Sequence, residues 1–475
     1  MSRKLRRTVA GAVALAAVSV VPGTPPAPAV DASPGSAGIG DRYFPLDGNG
    51  GYDVRHYTIQ DTYRLRSGRL TGQTALTARA GQRLSSFHLD LVLAVDSVRV
   101  DGVPARFSKP SAHELVVTPA TPVARGARFH VRVRYHGKPD DISFHHEDPW
   151  VSSRREALAT NEPHIAPWWF AANDHPSDKA TFDIAIRVPR GRQVVSNGVL
   201  VSRHTGSRWT RWHWRTREPM ASYLAFFAAG RFRLDSGTSH GLRYTNAVSK
   251  AMPKRFRARA LRLMRRTPGI VRWLEGRFGP YPFQTTGGLT TWLYSGFALE
   301  NQTRPTYPYM GDGKGAVTTV VHELAHQWFG DDVSIARWRD IWLNEGFATF
   351  ASWRYAEAHG GVGAQDRLLK QYRRHGADAP FWRVVVADPG PKRLFSAPVY
   401  QRGAMTLQAL RHRIGERDFS RLLRTWVRRH GGGNATTAQF ERLATKVSGE
   451  HLDGLFQAWL HSTTKPAATK ANGLK

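Results

Sequence analysis

His322 and His326 are one helical turn apart, with Glu323 directly after the first, and a further acid, Glu345, follows nineteen positions after His326. On a helix, positions i and i+4 project from the same face, so both imidazoles can meet one metal ion, while Glu323 turns toward the place of a bound water. A catalytic zinc ion takes three protein ligands of these types and keeps a fourth position open. We therefore predict one Zn²⁺ per chain, held by His322, His326 and Glu345.

A chance match is the alternative, because a pattern with three fixed residues arises by accident in roughly one chain in twenty of this length. The histidines would then be core residues, and Glu345 an acid near a helix N-terminus. The surroundings favour the metal. An apolar run, Val317 to Val321, leads into the pattern, and the segment around Glu345 predicts a second helix that runs until Gly360.

Several segments resemble the aminopeptidase N family of zinc metallopeptidases, whose third zinc ligand is a glutamate on the following helix. Gly296 to Asn301 (GFALEN) is similar to the family's Gly-Ala-Met-Glu-Asn exopeptidase motif, with Phe297 and Leu299 in place of its glycine and methionine. The segment VYQRGA around Tyr400 is similar to the Tyr-x-x-Gly segment, whose tyrosine faces the reacting carbonyl. Thr160 to Glu162 resembles the stretch that carries a second amine-binding acid.

This resemblance implies an aminopeptidase and assigns roles to particular residues. Glu323 accepts a proton from a zinc-activated water, and Tyr400 stabilises the tetrahedral intermediate. Glu300 and Glu162 bind the free α-ammonium group of a peptide, and Ala298 and Asn301 complete the substrate site. Without the resemblance, Tyr400 would be interpreted as a core tyrosine, and Glu162 as an exposed acid in a loop.

Three functions from different classes remain open from the residues. The first is a zinc aminopeptidase that acts on peptides with a free N-terminus. The second is a zinc endopeptidase with an open cleft, or an epoxide-opening relative, which shares the metal centre and uses another part of the substrate. The third is a noncatalytic polyanion-binding protein, favoured only by charge.

The N-terminus has the features of an export signal. Basic residues precede an apolar stretch from Val9 to Val21 that is too short for a mature membrane span, and prolines and small residues follow. We expect a signal peptide over residues 1–32, a disordered segment over 33–42, and secretion by the general route in preference to the twin-arginine one. The chain has no cysteine, so an exported protein of this length must be stable without disulfides.

The formal net charge of +31 is mostly due to arginine, and the cations are spread along the chain. One interpretation is a solvated surface; a sharper one is electrostatic association with anionic polymers or lipid headgroups of the cell envelope. No motif of a nucleic-acid-binding fold accompanies the charge, so we expect no specific nucleic-acid partner. The pattern does not indicate an oligomeric state.

The periodicity predicts an α+β multidomain protein. Short alternating runs over residues 43–230 predict an N-terminal all-β domain, and longer periods over 231–462 predict a mostly helical domain. The resemblance implies that the first is saddle-like, that the second is a thermolysin-like peptidase domain, and that the helical C-terminal domain of larger relatives is missing. Residues 463–475 are expected to form a flexible tail. The predicted helices are Lys254–Arg266, Gly269–Phe278, Ala316–Phe329, Trp342–His359, Gln365–Arg374, Val399–Ile414, Asp418–His430 and Thr437–Val447.

Overall fold

The alternating runs of the first half of the chain form strands, as their pattern predicts. The computed structural model describes residues 31–144 and 146–475, so the predicted signal peptide lies almost entirely outside the described residues. The strands are β1 Ser33–Pro34, β2 Tyr52–Arg64, β3 Arg69–Ala80, β4 Leu84–Asp90, β5 Ala94–Val100, β6 Val103–Pro104, β7 Arg106–Ser108, β8 Glu114–Thr118, β9 Arg128–Gly137, β10 Trp150–Ser152, β11 Ala157–Ala159, β12 Ala180–Pro189, β13 Gln193–Ser196, β14 Val199–Thr205, β15 Trp209–Met220, β16 Phe227–Gly230, β17 Phe232–Ser239, β18 Leu242–Ser249, β19 Thr285–Thr290, β20 Thr306–Tyr307, β21 Ser334–Ile335 and β22 Asn434–Ala435.

An eight-stranded sheet is the frame of the N-terminal domain, in the order β14-β15-β12-β2-β3-β9-β5-β6. Along β9 the residues alternate between buried and exposed, because one face of the sheet packs on the core and the other meets solvent. Aromatic residues fill that core; Tyr57 stacks on Phe182 with ring centroids 4.9 Å apart. Two four-stranded sheets, β1-β4-β8-β7 and β10-β11-β16-β13, contribute residues to the same core.

The second half of the chain is mostly helical, with the small sheet β17-β18-β19-β20 beside the helices. The helices are α1 Lys254–Met264, α2 Thr267–Phe278, α3 Lys314–Ala325, α4 Trp342–Ala358, α5 Ala364–Arg374, α6 Ala397–His430, α7 Thr437–Ser448 and α8 Asp453–Phe456. The expected β domain followed by a helical domain is confirmed. The two helices predicted on either side of residue 415 form one segment, α6, interrupted by a kink where Gly415 adopts φ 80°.

Two segments differ from the sequence expectation. Residues 33–42 were expected to be disordered, but β1 pairs with β4, and the carboxylate of Asp41 accepts a hydrogen bond from the backbone N–H of Trp338. The expected flexible tail, 463–475, packs against the helical domain. The Trp459 indole donates to the carbonyl of Asn472, and Leu474 is buried. In both segments, backbone groups find partners in distant parts of the chain, which local composition does not reveal.

No helix within the described part of the chain is long and apolar enough to cross a membrane.

Candidate metal centre and adjoining pocket

The three predicted metal ligands meet where α3 ends and α4 begins. His322 lies in the last turn of α3, His326 follows its end, and Glu345 lies in the first turn of α4. Glu345 Oε2 is 3.1 Å from His322 Nε2 and 3.6 Å from His326 Nε2. Two imidazoles and one carboxylate at this spacing fit the donor set and the size of a zinc ion.

The electrostatics around these donors also fit a cation. Burial opposes ionisation of Glu345, but the two imidazoles outweigh burial and lower the pKa of its carboxyl, which keeps it an anion. Burial disfavours a charged His326, yet Glu300, Glu345 and Glu323 raise the pKa of this imidazole well above its usual value. These carboxylates favour positive charge at the ring, and a bound zinc ion supplies it in place of the proton.

The orientation of His326 is fixed from the loop that follows α3. Its Nδ1 donates to the carbonyl oxygen of Phe329 at 3.1 Å, which leaves Nε2 for the metal. Gly330 adopts φ 133°, and a Cβ there would lie 3.3 Å from that Nδ1, so the turn passes the ring too closely for a side chain. The sequence motif does not indicate this partner of the ring, because a backbone carbonyl is present at every residue and does not depend on residue type.

Close contact between two helices places Glu345 beside Tyr400. A Cβ on Gly346 of α4 or on Gly403 of α6 would lie 2.9 Å from the Cα of the other glycine, so the two backbones touch there. Tyr400, one turn before Gly403, stacks on the ring of His322 with centroids 5.9 Å apart. Burial raises the pKa of Tyr400 well above its usual value, and nearby carboxylates add to this, so the phenol keeps its proton.

A pocket of about 240 Å³ opens onto these side chains. Its wall contains every predicted site residue except Asn301, together with three apolar residues that sequence reasoning did not assign. The lining residues are Glu162, Phe297, Ala298, Leu299, Glu300, His322, Glu323, His326, Glu345, Phe395 and Tyr400. Phe395 belongs to none of the motifs described above. Its position five residues before Tyr400 is the only sequence feature that links it to the site.

Two carboxylates from distant parts of the chain, Glu162 and Glu300, line this pocket and interact electrostatically. Glu162 comes from the loop after β11 and Glu300 from the loop before β20. Burial raises the pKa of Glu162 well above its usual value, and the negative charge of Glu300 raises it further. The buried Oε1 of Glu162 has no hydrogen-bond partner among the described residues. A cationic group bound between the two acids would relieve this repulsion and satisfy that oxygen.

Asn301 is not among the residues of the pocket wall, and its contact with substrate stays a prediction. Its amide is buried and joins the two loops: Oδ1 accepts from Thr160 Oγ1 at 2.8 Å, and Nδ2 donates to the carbonyl of Leu224 at 3.1 Å. The side chain thus sets the position of Glu300 relative to Glu162.

Two residues that carried no sequence signal hold Glu300 in place. Gln327, directly after the second histidine, donates to the carbonyl oxygen of Glu300 at 2.8 Å and accepts from the backbone N–H of Thr303 at 2.7 Å. Tyr223 of the β domain directs its hydroxyl to Glu300 Oε1 at 3.4 Å. For Gln327, the only sequence feature that indicates a role at the site is its position next to His326. No sequence feature indicates such a role for Tyr223.

Glu323 lies beside the predicted ligands without being one of the closest three. Its carboxylate, that of Glu300 and a ring nitrogen of His326 lie within 4.8 Å of one another. Burial raises the pKa of Glu323 well above its usual value, opposed by His326 and assisted by Glu300 and Glu345. A raised pKa is the property of a group that takes up a proton and returns it during a reaction.

Comparisons with known proteins agree with this geometry. The model of the peptidase M1 N-terminal domain matches residues 55–224, and that of the peptidase family M1 domain matches residues 288–459. An M1 zinc metallopeptidase mutant from Deinococcus radiodurans, solved with a Tyr-Ser-Ala substrate, shares 27% identity at a TM-score of 0.81, covering 91% of this chain and 100% of that one.

Curated relatives are longer. Aminopeptidase N from Lactococcus lactis subsp. cremoris is 25% identical over 430 residues, which are 84% of this chain and 49% of that protein. Aminopeptidase M1 from Arabidopsis thaliana is 27% identical over 334 residues, which are 66% of this chain and 37% of that protein. The chain thus spans about half the length, or less, of the curated relatives it matches. Because both family models and the solved structures agree along the chain, it belongs to the aminopeptidase N family of zinc metallopeptidases, peptidase family M1.

Proposed function

We propose that the protein is a zinc-dependent aminopeptidase that removes N-terminal residues from peptides. The observation that carries this proposal is the pair of carboxylates, Glu162 and Glu300, in the wall of the pocket that contains the metal donors. Two fixed acids beside the reaction centre suit a free α-ammonium group, which an internal stretch of peptide lacks. The aminopeptidases among the curated relatives support the same activity.

The residues around the pocket divide the chemistry among them. His322, His326 and Glu345 would hold a zinc ion, which would supply a Lewis acid for the scissile carbonyl and for the attacking water. Glu323 accepts the proton of the attacking water and delivers it to the leaving nitrogen, as its raised pKa allows. The Tyr400 hydroxyl donates a hydrogen bond to the oxygen on which negative charge develops.

Residues of the same pocket wall also position the substrate. Glu300 and Glu162 hold the α-ammonium group and so place the first peptide bond over the metal donors. Ala298 lies on the wall beside Glu300, and Phe297 and Phe395 supply apolar surface at 41% and 40% exposure. The pocket therefore admits one terminal residue with an apolar contact for its side chain.

A pair of substrates tests this function. We expect hydrolysis of leucine p-nitroanilide and of the peptide Leu-Ala-Ala, loss of both activities with a zinc chelator, and no hydrolysis of the N-acetylated forms. An endopeptidase would instead cleave blocked peptides as well as free ones. Equal rates on free and N-acetylated substrates would refute the aminopeptidase while leaving a zinc peptidase.

We propose that the protein is exported, as the basic and apolar residues before position 32 indicate. The absence of cysteine from the whole sequence fits a chain that needs no oxidative folding. N-terminal sequencing of protein recovered from culture medium tests this proposal. A mature N-terminus near residue 33 supports it, and full-length protein that stays inside the cells refutes it.

A second proposal concerns the solvent-facing side of the eight-stranded sheet, which carries arginines in directly opposed pairs. Arg187 of β12 lies opposite Arg211 of β15, and Arg99 of β5 lies opposite Arg132 of β9. Like charges on opposed strand positions repel, so these four arginines favour an anionic partner. We propose that this face associates with anionic polymers of the cell envelope.

Moderate salt should release the native enzyme from cells, since salt screens such contacts; full recovery in low-salt medium refutes the association.

A further inference from the structure

A second group of buried metal-binding side chains lies in the β domain, far along the chain from the zinc motif. It consists of Asp90, His113 and Glu114, named here the Asp90 cluster, which are 1%, 4% and 4% exposed. Asp90 ends β4 and Glu114 begins β8, and the antiparallel register places these two residues directly opposite each other. Opposed residues of paired strands project from the same face, so the two carboxylates share one side of the sheet. One carboxylate oxygen from each acid and a ring nitrogen of His113 lie within 4.8 Å of one another.

Each carboxylate of the cluster has one oxygen fixed by donors outside it. Asp90 Oδ2 accepts from Asn49 Nδ2 at 3.0 Å and from the backbone N–H of Asp174 at 2.7 Å. Glu114 Oε1 is 2.7 Å from His88 Nδ1. The remaining oxygens, Asp90 Oδ1 and Glu114 Oε2, are buried and have no hydrogen-bond donor among the described residues. Buried carboxylate oxygens are costly unless a hydrogen bond or a cation compensates them.

The imidazole of His113 supplies a third donor at the same point. Its Nε2 is 3.7 Å from Asp90 Oδ1, a separation close to that of two ligands on one ion. The same nitrogen donates to the carbonyl oxygen of Leu46 at 3.3 Å, a bond that metal binding would replace. Burial and the charges of Asp174, Glu114 and Asp47 raise the pKa of Asp90 well above its usual value, which marks an excess of negative charge here. Mixed imidazole and carboxylate donors suit Zn²⁺ or Mn²⁺ better than Ca²⁺ or Mg²⁺.

We propose that Asp90, His113 and Glu114 bind a divalent transition-metal ion, Zn²⁺ or Mn²⁺, separate from the zinc of the catalytic centre. The hydrogen bonds from Asn49, His88 and the Asp174 backbone orient the carboxylates, as groups behind metal ligands do. None of these three residues lines the pocket that contains the catalytic metal donors, so we assign the site a structural role: it links β4, β8 and the segment before β2. The inference does not depend on the proposed aminopeptidase activity.

Metal counting tests this site directly. Chelator-treated protein is incubated with Zn²⁺ alone or Mn²⁺ alone, desalted, and analysed for bound metal in the wild type and in Asp90→Asn, Glu114→Gln and His326→Ala. We expect two ions per wild-type chain with the better of the two metals, and one in each variant. Asp90→Asn should keep wild-type hydrolysis of leucine p-nitroanilide, because its remaining ion is the catalytic one.

A finer variant separates metal binding from simple loss of packing. His88→Gln leaves all three donors in place and changes only the group that holds Glu114, so it should weaken metal affinity at this site about 10- to 100-fold. If Asp90→Asn does not fold, Glu114→Gln and His88→Gln still report on the site. A wild-type chain that binds one ion, lost in His326→Ala, would overturn the proposal. Two ions retained in both Asp90→Asn and Glu114→Gln would overturn it equally.

Discussion

The pocket around His322 and the cluster around Asp90 contain the same kinds of side chain, buried imidazoles and carboxylates, but their surroundings differ. The first opens onto a cavity of about 240 Å³ and includes more carboxylates than a metal ion needs. The second is closed, and each of its acids has one oxygen held by a hydrogen bond. A set of metal donors alone does not make a catalyst. Chemistry needs a further group able to move a proton and a place for the substrate.

The largest expected effect comes from that further group. Glu323→Gln keeps the shape of the side chain and removes its ability to accept a proton, so kcat should fall about 10²- to 10⁴-fold. Bound zinc should be unchanged, since Glu323 is not among the three predicted ligands. Asp90→Asn is the matched control in the other cluster, and it should leave kcat unchanged. Equal losses in the two variants would show that the clusters do not differ as described.

Tyr400→Phe should lower kcat about 10²- to 10³-fold, because one donor to the developing oxyanion is lost while the ring contact with His322 remains. KM should change little. Steady-state kinetics on leucine p-nitroanilide measures both constants. A variant with raised KM and normal kcat would place Tyr400 in substrate binding instead.

Glu300→Gln should lower kcat/KM about 10- to 100-fold for substrates with a free N-terminus, since a charge-assisted hydrogen bond worth about 1.5–3 kcal/mol is lost. Glu162→Gln is the matched variant from the β domain, and its effect should be in the same direction. The loss is measured on the free substrates, because the N-acetylated forms are not expected to react in the wild type. An unchanged kcat/KM in Glu300→Gln would argue against an amine-binding role.

The last expected effect concerns stability at alkaline pH and not activity. Burial lowers the pKa of Lys179 from 10.5 to about 8, and its ammonium group donates to the carbonyls of Asp331 and Asp332, both at 2.8 Å. Between these two pKa values the unfolded chain holds more protons than the folded one, so this group adds stability as the pH rises from about 8 to 10.5. The full gain is about 3 kcal/mol.

Lys179→Met should remove this rise, whereas Lys446→Met on the exposed side of α7 should preserve it. Chemical denaturation of the three proteins at several pH values measures the difference in the free energy of unfolding. Parallel pH profiles for wild type and Lys179→Met would contradict the buried-lysine account. This lysine joins the β domain to the loop after the zinc helix, so its variant also reports on the contact between the two halves of the chain.

Local patterns explain which parts of the fold and site were predictable. The spacing of His322 and His326 is a property of one helix, and α3 and α4 begin within two residues of their predicted starts. Tyr400 was recognisable because Gly403, which touches Gly346, belongs to the same short segment. Such features depend on neighbours in sequence, so a single chain reveals them.

The remaining features depend on contacts between distant segments. The closeness of Glu162 and Glu300 arises only when the β domain packs on the helical domain. The sequence also gave no indication that the Asn301 amide would be used between two loops, or that Asp90 and Glu114 would face each other across β4 and β8. Strand register and domain packing are decided by the whole core, and short motifs do not encode them.

Zinc titration of metal-free enzyme tests the central claim most directly. Protein stripped by a chelator and shown by elemental analysis to be metal-free should not hydrolyse leucine p-nitroanilide. Added Zn²⁺ should restore hydrolysis in the wild type and in Asp90→Asn, with saturation of the latter at one equivalent, and should restore none in His326→Ala. Full activity in the metal-free protein, or zinc-restored activity in His326→Ala, would contradict the assignment of His322, His326 and Glu345 as the catalytic metal centre.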